Sequence, residues 1–144
     1  MPLNADAFPA DLVIRAIPPA RLQSLESGRQ LYEVREAFRY ASPAFGEIEV
    51  PAGFVTDFAS IPRAVWSYLS PEDPVILYPS VIHDFLYTRP PGGGAFGRAI
   101  SRADADAVLR EAMLASGARS TQAWVVFRSV RLFGGSHWKG GAAS

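Results

Sequence analysis

The sequence predicts an α+β fold, with a small antiparallel sheet from the N-terminal third packed against three to four helices. Alternation of apolar and polar residues dominates before residue 56, and helical spacing of apolar residues dominates after it. Strands that precede helices, instead of alternating with them, are typical of α+β proteins. The 144 residues fit one domain. We therefore expect a single domain over 1–144, with a frayed tail at 136–144.

Three segments of the N-terminal third are predicted strands: residues 11–17, 31–40 and 46–55. Each is rich in aliphatic, β-branched or aromatic residues, which favour strands. In the third segment the stretch EIEV alternates carboxylates with aliphatic side chains, which predicts one exposed face and one buried face. The loop ASPAFG between the last two segments predicts an antiparallel hairpin.

The rest of the chain predicts helices over residues 61–69, 79–87, 102–116 and 121–133. Ser60 and Ser101 are suited to cap the first and third of these, because a hydroxyl accepts a free backbone N–H. Pro79 is a good opening residue for the second helix, and Gly134 is a typical stop for the last. The stretch RPPGGGAFG, residues 89–97, predicts an irregular, mobile loop.

The composition excludes several classes of function. Fourteen basic and fourteen acidic residues give a formal net charge of zero, which argues against general nucleic-acid binding, because that normally needs a basic excess. The chain has no cysteine, which excludes disulfides, thiolate metal ligands and a cysteine nucleophile. We expect no signal peptide and no transmembrane segment, since neither pattern occurs, and therefore a location in the cytoplasm.

The stretch GFVTDFASIPR, residues 53–63, places polar side chains in an otherwise apolar connection between strand and helix. One interpretation is a turn, in which Asp57 accepts backbone N–H groups and Ser60 caps the helix. The other is a functional site, for which four residues are candidates on the substrate side or as structural polar groups: Thr56, Asp57, Ser60 and Arg63.

The stretch VIHDFLY places His83 and Asp84 side by side in an apolar run. On a helix, Tyr87 follows His83 by four residues and Asp84 by three, so it neighbours both. A lone histidine there would be a satisfied core residue, and Asp84 a cap or the partner of an arginine. The aspartate and the tyrosine together make a functional site an equal alternative.

The stretch SRADADAVL carries a further candidate, Asp106, at the border of the apolar stripe of its helix. The helix dipole favours acidic residues in the first turn, which explains Asp104 well but Asp106, a full turn further on, less well. Asp57, His83 and Asp106 each interrupt an apolar pattern in a different element. We therefore predict that these three side chains converge in space.

The motifs VPAGFVTDFASIPR, HDFLY and SRADADAVLREAM, followed by an aromatic helix ending near VRLFGG, resemble a family of small uncharacterised proteins of tailed phages and prophages. The resemblance covers residues 46–135. It implies a phage or prophage gene, often among the late genes, a location in the bacterial host cytoplasm or the virion, and phage structural proteins as partners. It implies no chemistry.

A second resemblance does imply chemistry. The His-Asp pair, the tyrosine after it and the later Ala-Asp are similar to the motif of secretory-type phospholipases, including those of small viral capsids. The resemblance implies that His83 is the general base for water, that Asp84 binds calcium, and that Asp106, supported by Tyr87, orients His83. A neutral imidazole is suited to take a proton near neutral pH. Calcium needs six or more oxygens, and only Asp84 and Asp57 are candidate ligands, because the glycine-rich calcium loop of those enzymes has no counterpart upstream of His83.

Other hydrolytic sites have less support in the sequence. Two histidines four residues apart, as in one class of zinc sites, are absent. A triad of Ser60, His83 and an aspartate could be assembled, yet Ser60 lies in no strand-turn-helix elbow of the G-x-S-x-G kind.

Two functions follow as alternatives. The first is a small hydrolase of a lipid or cell-wall bond, with His83 as base. The second is a non-enzymatic tail, capsid or assembly component, in which the polar residues form a structural hydrogen-bond network and the aromatic helix, with Trp124 and Phe127, offers a partner surface. A cleft that reaches His83 would favour the enzyme, and a sealed His83 would favour the structural component.

Overall fold

The computed structural model describes residues 6–18, 31–58, 60–70, 73–88 and 100–138. Within these residues the α+β architecture is confirmed, because five short strands come first and four helices follow. The strands are β1 (Ile14–Ala16), β2 (Tyr32–Val34), β3 (Phe38–Ser42), β4 (Gly46–Val50) and β5 (Val55–Thr56). The helices are α1 (Arg63–Tyr68), α2 (Pro74–Thr88), α3 (Arg102–Ala115) and α4 (Ser120–Phe133).

The strands form two small antiparallel sheets. One contains three strands in the order β1, β2, β5, and the other is the hairpin of β3 and β4. The predicted strand 31–40 is divided between them, because the exposed Glu36 interrupts the alternation between the buried Val34 and Phe38. A carboxylate is costly to bury, so the chain leaves the first sheet at this point and begins the second.

The hairpin of β3 and β4 confirms the predicted antiparallel pair, with Phe38 opposite Val50 and Tyr40 opposite Ile48. The isoleucine and valine of the stretch EIEV are buried and its two glutamates are exposed, as the alternation predicted. Its inner face is fixed to α3, because the hydroxyl of Tyr40 donates a hydrogen bond of 2.6 Å to Glu111. The hairpin therefore covers the same helix that carries Asp106.

The central helix is α2, whose residues from Pro79 to Tyr87 are all buried between α3 and the strands β4 and β5. It begins at Pro74, five residues before the predicted opening residue, and Asp73 accepts the backbone N–H of Val75 at its start. Pro79 therefore lies inside the helix. Because no face of this segment reaches solvent, each polar side chain on it needs a partner in the interior.

The ends of α3 and α4 agree with the sequence. The hydroxyl of Ser101 accepts the N–H of Asp104, and the Asp104 side chain accepts the N–H of Ser101, which completes a capping box at the start of α3. Gly117 follows α3 with a φ of 95°, a conformation that favours glycine. Gly134 ends α4.

The chain after α4 turns back over the interior. Gly135–His137 form a short 3-10 helix, and the ring of Trp138 packs edge-on against Tyr87, with 5.3 Å between centroids. The remainder of the predicted tail, 139–144, and the predicted loop 89–97 lie outside the described residues. None of the described helices is both long enough and apolar enough to cross a membrane.

Candidate functional site

A continuous chain of hydrogen bonds runs through the interior from Ser60 to His83 and on to Asp106. The Ser60 hydroxyl lies 3.0 Å from Nδ1 of His83, and Nε2 of the same ring lies 2.7 Å from Oδ1 of Asp106. The three residues come from the turn before α1, from α2 and from α3. The structure thus brings His83 and Asp106 together, as the sequence predicted, and places Ser60, another of the candidates, beside them. The predicted convergence of Asp57 with this pair stays a prediction.

Asp106 is the centre of this chain. Besides His83 it accepts the Tyr87 hydroxyl at 2.6 Å and Nη1 of Arg131 at 2.9 Å, and Arg102 lies 3.6 Å from its Oδ2. Burial alone would raise the pKa of Asp106, but the hydrogen bonds from His83, Tyr87 and Arg131 outweigh burial and hold that pKa below its ordinary value. Asp106 is therefore an ionised carboxylate within the protein interior.

The charge on Asp106 fixes the orientation of the histidine protons. A carboxylate only accepts hydrogen bonds, so Nε2 of His83 must carry the proton of the 2.7 Å contact. If the imidazole is neutral, Nδ1 is then an acceptor, and the Ser60 hydroxyl gives its single proton to His83 and not to Asp84. The order of donors is Ser60 to His83 to Asp106, the order that a serine nucleophile requires.

Arg102 joins this cluster to the C-terminal end of α4. Its guanidinium donates to the carbonyl oxygens of Val130 and Arg131, at 3.1 and 3.3 Å. The last carbonyls of a helix have no partners within the helix and carry partial negative charge, so Arg102 caps α4. Gly134 fits closely here, since a Cβ atom would lie 2.7 Å from the Val130 carbonyl oxygen and 3.2 Å from the Tyr87 hydroxyl.

Asp84 belongs to a second polar group, which adjoins the first. The Thr56 hydroxyl donates to Oδ2 of Asp84 at 2.5 Å. Burial raises the pKa of Asp84, and the nearby charge of Asp57 adds to the rise, whereas the hydrogen bond from Thr56 and the contact with the Ser60 hydroxyl oppose it. The net pKa is raised. Ser60 therefore lies between the carboxyl of Asp84 and the ring of His83.

The turn before α1 has an unusual backbone. Phe58 has a φ of 57°, which is uncommon outside glycine. Its N–H donates to the Thr56 hydroxyl at 3.0 Å, and its ring packs against Tyr32 and Trp66, with centroids 5.6 and 6.0 Å away. A conformation of this kind costs on the order of 1–3 kcal/mol and persists where packing over-determines it. The turn holds Ser60 and Thr56 in the interior.

The cluster is sealed from solvent. His83, Tyr87 and Asp106 are 0% exposed, and Ser60 is 1% exposed. The sequence left open whether His83 lies in a cleft or in a sealed core. The sealed position favours a structural network over an open catalytic cleft.

The described residues do not supply a calcium shell. Among them, no group of three or more histidine, aspartate or glutamate side chains is placed to hold a metal ion. The two candidate ligands do lie close enough to interact, but the carboxyl of Asp84 already accepts the Thr56 hydroxyl. Calcium prefers six or more oxygens, several of them ionised carboxylates. Asp84 and Asp57, together with the other described residues, therefore do not make up a calcium shell.

The other predicted residues lie at different depths. Thr56 is buried, Asp57 is half-buried and Arg63 is exposed at the start of α1. The predicted capping role of Ser60 is wrong: Pro62 occupies the N-cap position, without a side-chain hydrogen bond. The physical reason is that the Ser60 hydroxyl is already within hydrogen-bonding distance of His83.

Two arginines and a glycine of the cluster were not among the predicted site residues. Arg102 stands four residues before Asp106, a spacing at which opposite charges pair on a helix, so a local signal existed. Arg131 reaches Asp106 from 25 residues away along the chain, and no local pattern marks it. Gly134 predicted only the end of a helix.

Residues 32–130, more than half of the chain, match a protein family described as "Protein of unknown function (DUF1353)". The chain belongs to the DUF1353 family. The DUF1353 match begins at β2 and ends in α4, so it includes Ser60, His83 and Asp106. No curated protein and no solved structure matches the chain.

Replacing Asp84 with asparagine should leave the melting temperature at pH 7 unchanged or raise it by a few degrees. Because the folded-state pKa of Asp84 is raised, its contribution to stability is fully present below the unfolded pKa and is lost as the pH rises through the folded pKa. The neutral amide does not titrate, so the difference in melting temperature between Asp84→Asn and the wild type should shrink toward pH 4. Thermal melts between pH 4 and 8 test this, with the exposed Asp11→Asn as control. A lower melting temperature for Asp84→Asn at pH 7 would instead mean that the ionised carboxylate is needed.

Proposed function

We propose that this DUF1353 protein is a non-enzymatic component of a phage or prophage particle, or of its assembly. In this proposal its polar motifs form a structural network. The observation that carries the proposal is the burial of Ser60, His83 and Asp106, which are at most 1% exposed while both ring nitrogens and both carboxylate oxygens have partners. The resemblance of the motifs to those of phage and prophage proteins supports the setting.

The network is suited to give the fold one rigid packing. It connects the turn before α1 with α2, α3 and α4 through one carboxylate. A buried charge is tolerated only when it is paired and hydrogen-bonded, and removal of one partner is strongly destabilising. Arrangements of the helices that separate Arg131 or His83 from Asp106 are therefore disfavoured, and the outer surface of α4 is held in a fixed position.

A small hydrolase is the second candidate, and the order of donors from Ser60 to Asp106 favours it. Asp106 orients the ring, and Nδ1 of His83 faces the Ser60 hydroxyl at 3.0 Å. In such an enzyme Ser60 would be the nucleophile toward a lipid or cell-wall bond. Water would not be the group activated, because Ser60 occupies the position next to Nδ1. Catalysis would require the interior to open.

A fluorophosphonate probe separates the two functions, because it reacts with serines that a neighbouring base has made nucleophilic. We expect no adduct on Ser60 after hours at pH 7.5, as judged by the intact mass of the folded chain. The Ser60→Ala variant gives the background, and an active serine hydrolase in the same tube shows that the probe is competent. Stoichiometric labelling of Ser60 that disappears in His83→Ala would overturn the non-enzymatic proposal and establish the hydrolase.

A further inference from the structure

Exposed apolar side chains are concentrated on α4. Eight large hydrophobic residues are exposed in the described part of the chain, and four of them lie on this one helix: Trp124, Val125, Leu132 and Phe133. Scattered single residues of this kind are ordinary on a protein surface, but a contiguous group marks an interaction site. At 100° per residue, five exposed positions fall within one strip of the helix surface, which we call the outer stripe: Thr121, Trp124, Val125, Arg128 and Leu132.

The outer stripe adjoins a shallow groove with a volume of about 450 Å³, which α3 and the first turns of α4 form together. The groove is lined by Arg110, Ser120, Thr121, Trp124 and Val125. It offers a place for one apolar anchor side chain beside a cation, which is the arrangement of a binding hot spot.

The charge of this surface is of one sign. Its charged residues, Arg110 of the groove and Arg128 of the outer stripe, are both cations. Two arginines are held by aromatic rings: Arg128 lies 5.9 Å from the centroid of Trp124, and Arg110 lies 5.9 Å from that of Phe127. Cations fixed in this way are pre-organised to bind carboxylates with two parallel hydrogen bonds.

We propose that the outer stripe of α4 binds an amphipathic helix of another protein, whose apolar face has a carboxylate near its centre. Arg128 lies between Trp124 and Leu132 on the helix surface, so the partner needs an acidic group there among apolar ones. This inference rests on the proposed function, because it assigns the partner of a binding protein.

A second copy of the chain fits this surface poorly. Two outer stripes packed on each other would bring Arg128 of both copies together without a carboxylate between them. The exposed acidic surface of the β3–β4 hairpin offers Glu47 and Glu49, but both pair with Arg39 and no large hydrophobic residue is exposed on that hairpin. A lipid surface fits poorly as well, since insertion of the apolar residues would bury the central Arg128.

A displayed library of random helical peptides tests the chemistry of the partner. Panned on the full chain, it should yield peptides that combine apolar residues at helical spacing with a net negative charge. Binding of the selected peptides should fall by about tenfold or more in Trp124→Glu and in Arg128→Glu. Two variants elsewhere are the matched controls: Tyr68→Glu, because Tyr68 is 50% exposed against 52% for Trp124, and Arg39→Glu. Both should retain binding within about twofold.

Several results would overturn the proposal. Selection of peptides with a net positive charge would contradict the proposed chemistry of the partner. Peptide binding that is unchanged in Trp124→Glu would contradict the outer stripe as the binding surface. Self-association in sedimentation that Trp124→Glu abolishes would assign the stripe to a second copy. Binding to vesicles of phosphatidylcholine and phosphatidylserine that the same variant abolishes would assign it to lipid. None of these experiments measures labelling of Ser60. Failure of the partner proposal is therefore distinguishable from failure of the non-enzymatic proposal, which the fluorophosphonate probe tests.

Discussion

Replacing His83 with alanine is expected to lower the melting temperature by roughly 5–15 °C. The substitution removes one partner of the Ser60 hydroxyl and one of the hydrogen bonds to Asp106, all in the interior. Each buried polar group left without a partner costs about 1–3 kcal/mol, and the cavity left by the ring adds to the loss. A thermal melt followed by circular dichroism measures the effect.

His137 is the matched control, because it is the other histidine of the chain and is half-buried in the short 3-10 helix. His137→Ala should change the melting temperature by no more than about 2 °C. A His83→Ala melt as high as that of the wild type would contradict the structural role of the network. Active sites are commonly held at some expense of stability, so that result would favour a catalytic His83.

The hydrophobic pattern of the sequence determined most of the fold correctly, because period and burial are local properties. The stretch EIEV alternates within four residues, and the β3–β4 hairpin has the predicted faces. The division of the strands into two sheets was harder to predict from the sequence. It depends on one exposed charged residue, Glu36, where the alternation would place a buried side chain, and on pairing of β2 with β5 more than twenty residues later.

Burial along α2 could not be predicted from its own sequence. The apolar run around His83 indicates a buried helix, but only the tertiary structure shows that solvent is excluded on every side. A histidine of an open cleft and a histidine of a sealed core have the same local sequence. The sequence therefore identified His83, Tyr87 and Asp106 without deciding between the two functions.

The strength of the network comes from long-range partners. His83 and Tyr87 are neighbours on one helix, and their pairing with Asp106 could be anticipated from a familiar motif. Arg131 lies on α4 and reaches the same carboxylate at 2.9 Å. An ion pair between two helices depends on their crossing, which neither periodicity nor capping residues specify.

Replacing Asp106 with asparagine is expected to cause the largest loss of stability, about 3–5 kcal/mol at pH 7. The amide has the shape of the carboxylate, but one of its two oxygens becomes an N–H donor. That donor must face either Arg131 or the pair of donors from His83 and Tyr87. The buried Arg102 and the partly buried Arg131 also lose their counter-charge. Urea denaturation measures the free energy of unfolding.

Asp104→Asn is the matched control for Asp106→Asn, because Asp104 lies two residues earlier in the same helix and is half-buried at its cap. Asp104→Asn should lower the free energy of unfolding by about 1 kcal/mol or less.

The pH dependence of stability is a second test of Asp106. The folded-state pKa of Asp106 is lowered, so its contribution is present above the unfolded pKa and is lost as the pH falls through the folded value. The difference in stability between wild type and Asp106→Asn should therefore narrow in acid. If Asp106→Asn loses no more than Asp104→Asn at pH 7, or if the difference does not change with pH, the carboxylate is not the charged centre of the network.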